Sequence, residues 1–159
     1  MALPTINRTD RKLLEILQKD GHLTNLELAE RVSLSPSACL RRVRALEKAG
    51  VIRRYVALVD ARKVGLALTA FVNLKLEKRG RQPADAFARA VKDWPEVLGC
   101  HSLTGDMDYV LRVQVEDLDH FSRFVMDSLL KHPSVLDVKS SFVLEEVKET
   151  TALPLAQLG

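Results

Sequence analysis

Two aspartates, Asp106 and Asp108, flank Met107 beside a glycine in the stretch Ser102-Leu103-Thr104-Gly105-Asp106-Met107-Asp108-Tyr109. Residue types at this spacing permit three chemistries. Two carboxylates with His101 nearby could exchange protons or help to hold a cation, and a proton-transfer role needs the groups to converge on one point. Alternation along a strand sends neighbouring side chains to opposite faces, so His101 and the acids need not meet. A third chemistry is recognition of a free amino acid, whose ammonium wants a carboxylate and whose carboxylate wants backbone N–H donors. A glycine corner with aspartates beside it offers both. The plain alternative is a turn made by Gly105 in which Asp106 satisfies backbone N–H groups.

A second constellation is basic. In Pro36-Ser37-Ala38-Cys39-Leu40-Arg41-Arg42-Val43-Arg44-Ala45-Leu46-Glu47-Lys48-Ala49-Gly50, a helical period gathers Cys39, Leu40, Val43, Leu46 and Gly50 on an inward side. Ser37, Ala38, Arg41, Arg44, Ala45 and Lys48 fall opposite, with Arg42 on the flank. Small residues at the start of that face allow close approach to a major groove, and arginines reach guanine edges or phosphate oxygens. A charged helix face is often no more than solvated surface. Here the helix follows a tight turn and precedes a second basic pair, Arg53 and Arg54, which favours DNA.

The elements that would carry these groups are marked by start and stop signals. Thr9 is placed to cap a first helix carrying Leu13, Leu14 and Leu17, with Gly21 as its stop. Thr24 and Glu27 have capping-box spacing for a second helix reaching about Val32. Ser35 caps a third with Pro36 at its first position, and Gly50 ends it. Three helices with a short turn between the last two predict a helix-turn-helix over residues 6–50.

Residues 51–67 read as an extended linker. From Leu68 the period changes to two, with Leu68, Ala70, Val72, Leu74 and Leu76 on one face of a strand. A helix follows from Pro83 with Phe87, Val91 and Trp94, stopping at Pro95. Strands are expected in Val97–Gly105 and Asp108–Glu116, the latter placing Tyr109, Leu111, Val113 and Val115 on one face. A helix with Leu118, Phe121, Val125 and Leu129 and a last strand from Val135 to Val147 complete a βαββαβ order. The predicted fold is therefore α+β, with a ferredoxin-like antiparallel domain at 68–150 and a tail at 151–159. Two helices cover one sheet face, and Phe71 and Phe142 predict that a second copy covers the other.

Composition agrees with two small units. The 159 residues carry a net charge of +3, but residues 1–63 hold 13 Lys+Arg against 7 Asp+Glu while residues 64–159 hold 11 against 14. The basic end is the part suited to a polyanion. No apolar run is long enough to span a membrane, and MALPTINRTDRK lacks a signal-peptide core, so a cytoplasmic protein is expected. Cys39 and Cys100 have no metal-ligand or disulfide spacing. No nucleophile elbow, phosphate loop or metal motif occurs, so an enzyme is not expected. His101, His120 and His132 are read as surface or satisfied core residues.

With its helical segment, its CHSLTGDMDYVLRV strand-loop-strand and its FVLEEVKET ending, the chain resembles the Lrp/AsnC family of leucine-responsive and asparagine-responsive regulators, from about Ile6 to Thr150. The resemblance implies a DNA-binding N-terminal unit and an amino-acid-sensing C-terminal domain. It implies pairing into a homodimer, further assembly to a tetramer, octamer or larger ring, and nucleoid association. DNA contact is then expected at Ser35, Ser37, Ala38, Arg41, Arg42, Arg44, Lys48, Arg53 and Arg54. Effector contact is expected at Leu103, Thr104, Gly105, Asp106, Met107 and Asp108, for leucine or another apolar amino acid, with no other cofactor. Two residues depart from the family pattern: Met107 stands where an aromatic is frequent, and Arg41 where the leucine-responsive members are acidic. An architectural DNA-binding protein that senses nothing is the alternative reading.

Overall fold

The computed structural model describes residues 6–77 and 82–158. The expectations that fall on residues 1–5, on 78–81 of the domain expected at 68–150 and on Gly159 of the tail lie outside them. The chain forms two compact units: one from the residues up to Leu58 together with those from Lys148 onward, the other from Val59 to Val147.

The first unit holds α1 (Arg8–Leu17), α2 (Asn25–Val32) and α3 (Pro36–Lys48). Leu13, Leu28, Ala29, Val32 and Cys39 form its core, with Ile16, Leu17, Leu23, Leu34 and Val43 packed around them. The cap of α1 is Asn7 rather than Thr9: the Asn7 side chain accepts the Thr9 and Asp10 N–H groups, and Asp10 answers the Asn7 N–H. Asn-x-x-Asp has capping-box spacing just as Thr-x-x-Glu does, and it satisfies more of the orphan N–H groups than Thr9 could. Gln18 ends the helix, so Gly21 is not its terminating glycine.

Thr24 and Glu27 form the predicted box at α2, and Ser35 caps α3 with Pro36 behind it. Ser33 ends α2 in the left-handed conformation (φ 57°), and Gly50 does the same after α3 (φ 70°). Leu40 and Gly50, expected inward, are exposed.

The second unit holds β1 (Leu68–Leu76), α4 (Gln82–Ala90), β2 (Val97–Ser102), β3 (Tyr109–Val115), α5 (Leu118–Phe124) and β4 (Val135–Phe142). The sheet runs β2-β3-β1-β4 with every neighbouring pair antiparallel. This is the predicted ferredoxin-like arrangement. Ala70, Val72, Leu74 and Leu76 of β1 and Leu111, Val113 and Val115 of β3 are buried, and with Phe87, Phe121, Phe124 and Leu129 they make the core.

Phe87 is fully buried and meets Trp94, Tyr109 and His132 at ring-centroid distances of 5.9, 5.2 and 5.7 Å. His132 is half-buried beside this ring, and its Nδ1 accepts the Ser134 N–H at 3.2 Å.

After α5 the backbone widens into a π-helical turn over Val125–Leu129. The extra residue shifts the phase of the helix, so Phe124 and Leu129, five residues apart, both face inward with Phe121, while Leu118 at the first position of α5, read as inward, is 59% exposed. Phe142 also departs from expectation. It pairs with Ala70 and packs edge-on against Phe121 at 5.0 Å, which puts it on the helix-covered face. Phe71 alone of the two lies on the open face, flanked across the strands by Arg112 and Ser141. The last strand stops at Phe142, short of the predicted Val147. No helix of the described residues is long and apolar enough to cross a membrane.

Candidate nucleic-acid interface and amino-acid site

The turn between α2 and α3 has three residues, Ser33 to Ser35. The left-handed Ser33 donates to the Glu30 carbonyl, and Leu34 N–H reaches back to the Ala29 carbonyl at 2.9 Å. Asn25 Nδ2 donates to the Pro36 carbonyl at 2.9 Å and fastens the start of α3 to the start of α2. The turn angle is therefore held by backbone and amide bonds, and the outer side of α3 is left in solvent. Ser35, Ser37, Arg41, Arg44 and Lys48 are exposed and Ala38 is half-buried. The Ser35 and Ser37 hydroxyls lie 3.3 Å apart, and Ser35 Oγ accepts the Ala38 N–H. Arg53 and Arg54 are exposed on the extended segment that follows.

Arg42, expected among the DNA-contacting residues, is ion-paired within the helical unit. Its Nη1 donates to Oδ1 of Asp10 at 2.9 Å, and the Asp10 side chain is only 12% exposed. A flank position on a helix packed against α1 turns toward the available buried carboxylate rather than toward solvent. Arg42 holds the unit together. Asp10 was missed in the sequence because its role as partner is set by the crossing of α1 and α3.

The acidic loop joins β2 to β3. Leu103 N–H donates to the Asp108 carbonyl at 2.8 Å and closes the loop, while Gly105 at its corner has φ 112°. That φ strains any residue with a Cβ. Asp108 is the anchored acid: its Oδ2 accepts the Leu76 N–H at 2.7 Å, and its own N–H donates to the Leu74 carbonyl at 2.8 Å. Backbone satisfaction expected of Asp106 thus belongs to Asp108. The β1–β3 ladder ends at Leu74 and Tyr109, and beyond it the Asp108 carboxylate takes the Leu76 N–H. Asp106 is exposed and has no hydrogen-bond or ion-pair partner among the described residues. Leu103, Thr104 and Gly105 are exposed, and Met107 is half-buried.

Behind the loop lies a cleft of ≈ 240 Å³ lined by Leu76, Glu77, Ala84, Ser102, Leu103, Asp108 and Tyr109. Of the predicted effector residues Leu103 and Asp108 line it, and the other four follow on the same loop. The additional lining comes from the end of β1 and from α4, and chain separation hid it from sequence reasoning.

Proton-transfer geometry is missing. His101 pairs opposite Val110 while Cys100, its neighbour, packs on the core, so His101 lies on the open sheet face. Asp108 meanwhile turns to β1. Among the described residues no three His, Cys, Asp or Glu side chains gather as a metal site.

Comparison with known proteins agrees with both units. Residues 69–153 match the model of the Lrp/AsnC ligand binding domain, and residues 6–53 match a winged helix-turn-helix DNA-binding model. The chain is 38% identical to the leucine-responsive regulatory protein of Escherichia coli K12, covering 93% of this chain and 90% of that one. A Neisseria meningitidis transcriptional regulator solved as its L-Met complex is 50% identical, with a TM-score of 0.94 over 97% of this chain and 99% of that one. An AsnC family regulator from Agrobacterium tumefaciens is 39% identical, with a TM-score of 0.91 over 96% and 99% of the two chains. The chain is a DNA-binding transcriptional regulator with a ligand-binding domain, not an enzyme, and it belongs to the Lrp/AsnC family.

Proposed function

We propose that this regulator binds operator DNA in a sequence-specific way through Ser35, Ser37, Ala38, Arg41, Arg44, Lys48, Arg53 and Arg54, and that an apolar amino acid, leucine or methionine, tunes that binding at the β2–β3 loop. The observation that carries the reading is the division of labour between the two aspartates. Asp108 is consumed by the Leu76 N–H, which rigidifies the loop and leaves exposed Asp106 available for an ammonium group. Backbone N–H groups around Gly105 suit the ligand's carboxylate, and Leu76, Ala84 and Leu103 offer an apolar wall. L-Met in the complex of the Neisseria relative supports an amino acid with an apolar side chain.

The protein acts as a homodimer that assembles further, to a tetramer, octamer or larger, in the cytoplasm and on the nucleoid. Paired recognition helices would meet half-sites roughly 34 Å apart. The amino acid shifts the population of assembled or DNA-bound states by its differential affinity for them.

Calorimetric titration with a panel that includes L-leucine, L-methionine, L-asparagine and L-glutamate tests the site. Binding of an apolar member that is lost in Asp106→Ala is the expected result. No binding to the wild type, or unchanged binding in the variant, would overturn the effector reading and leave an architectural DNA-binding protein.

A further inference from the structure

We propose that residues 148–158 are a strap on α1 through which the amino-acid domain influences the DNA-reading helices. The inference rests on the effector reading above. The unit containing α1 is built from both ends of the chain, so the backbone passes between the two units twice, after Leu58 and again after Val147.

The returning segment is held by named bonds. Gln18, the C-cap of α1, grips the backbone of Leu153 from both sides: its Oε1 accepts the Leu153 N–H at 2.6 Å and its Nε2 donates to the Leu153 carbonyl at 3.3 Å. Arg11, two helical turns earlier on the same stripe, donates from Nη1 to the Leu158 carbonyl at 2.9 Å. Glu15, between them on that stripe, accepts from Arg11 Nε at 2.8 Å and fixes the guanidinium. Every strap atom in these bonds is backbone, so α1 reads the segment's path more than its side chains.

The helix that receives the strap is also the helix that holds α3. Asp10, beside Arg11, binds Arg42 of the recognition helix. A continuous series of contacts therefore runs from Leu153 and Leu158 through Gln18 and Arg11 to Asp10 and Arg42. Such a series carries coupling only where one end has two states, and fastening or release of the strap is the two-state element. The segment begins a few residues beyond the end of β4, the strand paired with β1. β1 in turn ends at the Leu76 N–H that Asp108 holds. Leu76 pairs with Val135 and Ala70 with Phe142, so the Leu76 end and the strap end are the two ends of one ladder, and a ligand that stabilises the β1–β4 pairing changes the freedom of the strap.

The test compares the wild type with Gln18→Glu, Gln18→Ala and a chain lacking residues 149–159. Hydrogen exchange is read at α1, β1 and β3, and operator affinity is read with and without L-leucine and L-methionine. Exchange in α1 should quicken at least tenfold in the deletion and in Gln18→Ala, with β1 and β3 unchanged. Gln18→Glu keeps the acceptor for the Leu153 N–H and loses the donor, so it should fall between, and it keeps the comparison readable should the deletion fail to fold. Amino-acid binding by calorimetry should stay within twofold, while the factor by which the amino acid changes DNA affinity falls toward one. Unchanged α1 exchange in Gln18→Ala, or a coupling factor kept at its wild-type value, overturns the proposal. If wild-type DNA affinity answers to neither amino acid, the effector reading fails. The coupling role of the strap then fails with it, while α1 exchange separately decides whether the strap secures the helix.

Discussion

The carboxylate of Asp10 binds two helices at once: Oδ2 accepts the Asn7 N–H at 3.2 Å and caps α1, while Oδ1 accepts Arg42 Nη1 at 2.9 Å and fixes α3 against it. One of the three basic residues clustered at 41–44 is thereby tied into the packing of the helical unit. Arg41 and Arg44 are left exposed.

Arginine substitutions should therefore fall into two classes. Arg41→Ala and Arg44→Ala should each weaken DNA binding and lower the slope of log affinity against log salt by about 1, with stability unchanged. Arg42→Ala should lower the stability of the helical unit by about 1–2 kcal/mol, between the values for exposed and buried ion pairs. Its salt slope should stay at the wild-type value in mobility-shift titrations. Equal slopes for all three variants would refute the division.

The two aspartates should separate in the same manner. Asp108→Ala strands the Leu76 N–H and should cost about 1–3 kcal/mol in chemical denaturation. Asp106→Ala should alter stability by less than about 0.5 kcal/mol, as at other exposed positions. Its effect should appear in amino-acid titration instead.

Alkaline pH should weaken the helical unit. Burial pushes the Cys39 thiol above its ordinary range, so the folded chain keeps this proton more tightly than the unfolded one. The resulting stability is fully present below the unfolded value, about pH 8.5, and is lost as pH rises through the folded value. Urea midpoints at pH 7, 8.5 and 10 should show a fall that is shallower in Cys39→Ala than in the wild type. Parallel pH profiles would exclude Cys39 as the cause.

Phe87→Ala should cost about 3–5 kcal/mol in the sheet unit, since the ring is fully buried among Trp94, Tyr109 and His132. Trp94 is the single tryptophan of the chain and belongs to this cluster, so its fluorescence reports that unit's transition. An unshifted midpoint would mean that the cluster is not the core.

By itself the sequence determined what short-range rules govern. Thr24-x-x-Glu27, Ser35-Pro36 and Gly50 placed helix ends because caps act within one turn. The alternation from Leu68 to Leu76 named the buried face of β1 because a strand's period is two. The order of elements was enough for the βαββαβ fold class, and the family motifs marked the acidic loop. Partners distant along the chain were decided by tertiary structure. Arg42 reaches Asp10, Asp108 reaches Leu76, Phe142 reaches Phe121 and Gln18 reaches Leu153. In each case a side chain takes the partner that folding brings within about 3 Å for a hydrogen bond, or within about 5 Å for a ring contact. The π-helical turn after Phe124 likewise follows from packing, because its change of phase brings Phe124 and Leu129 into one core.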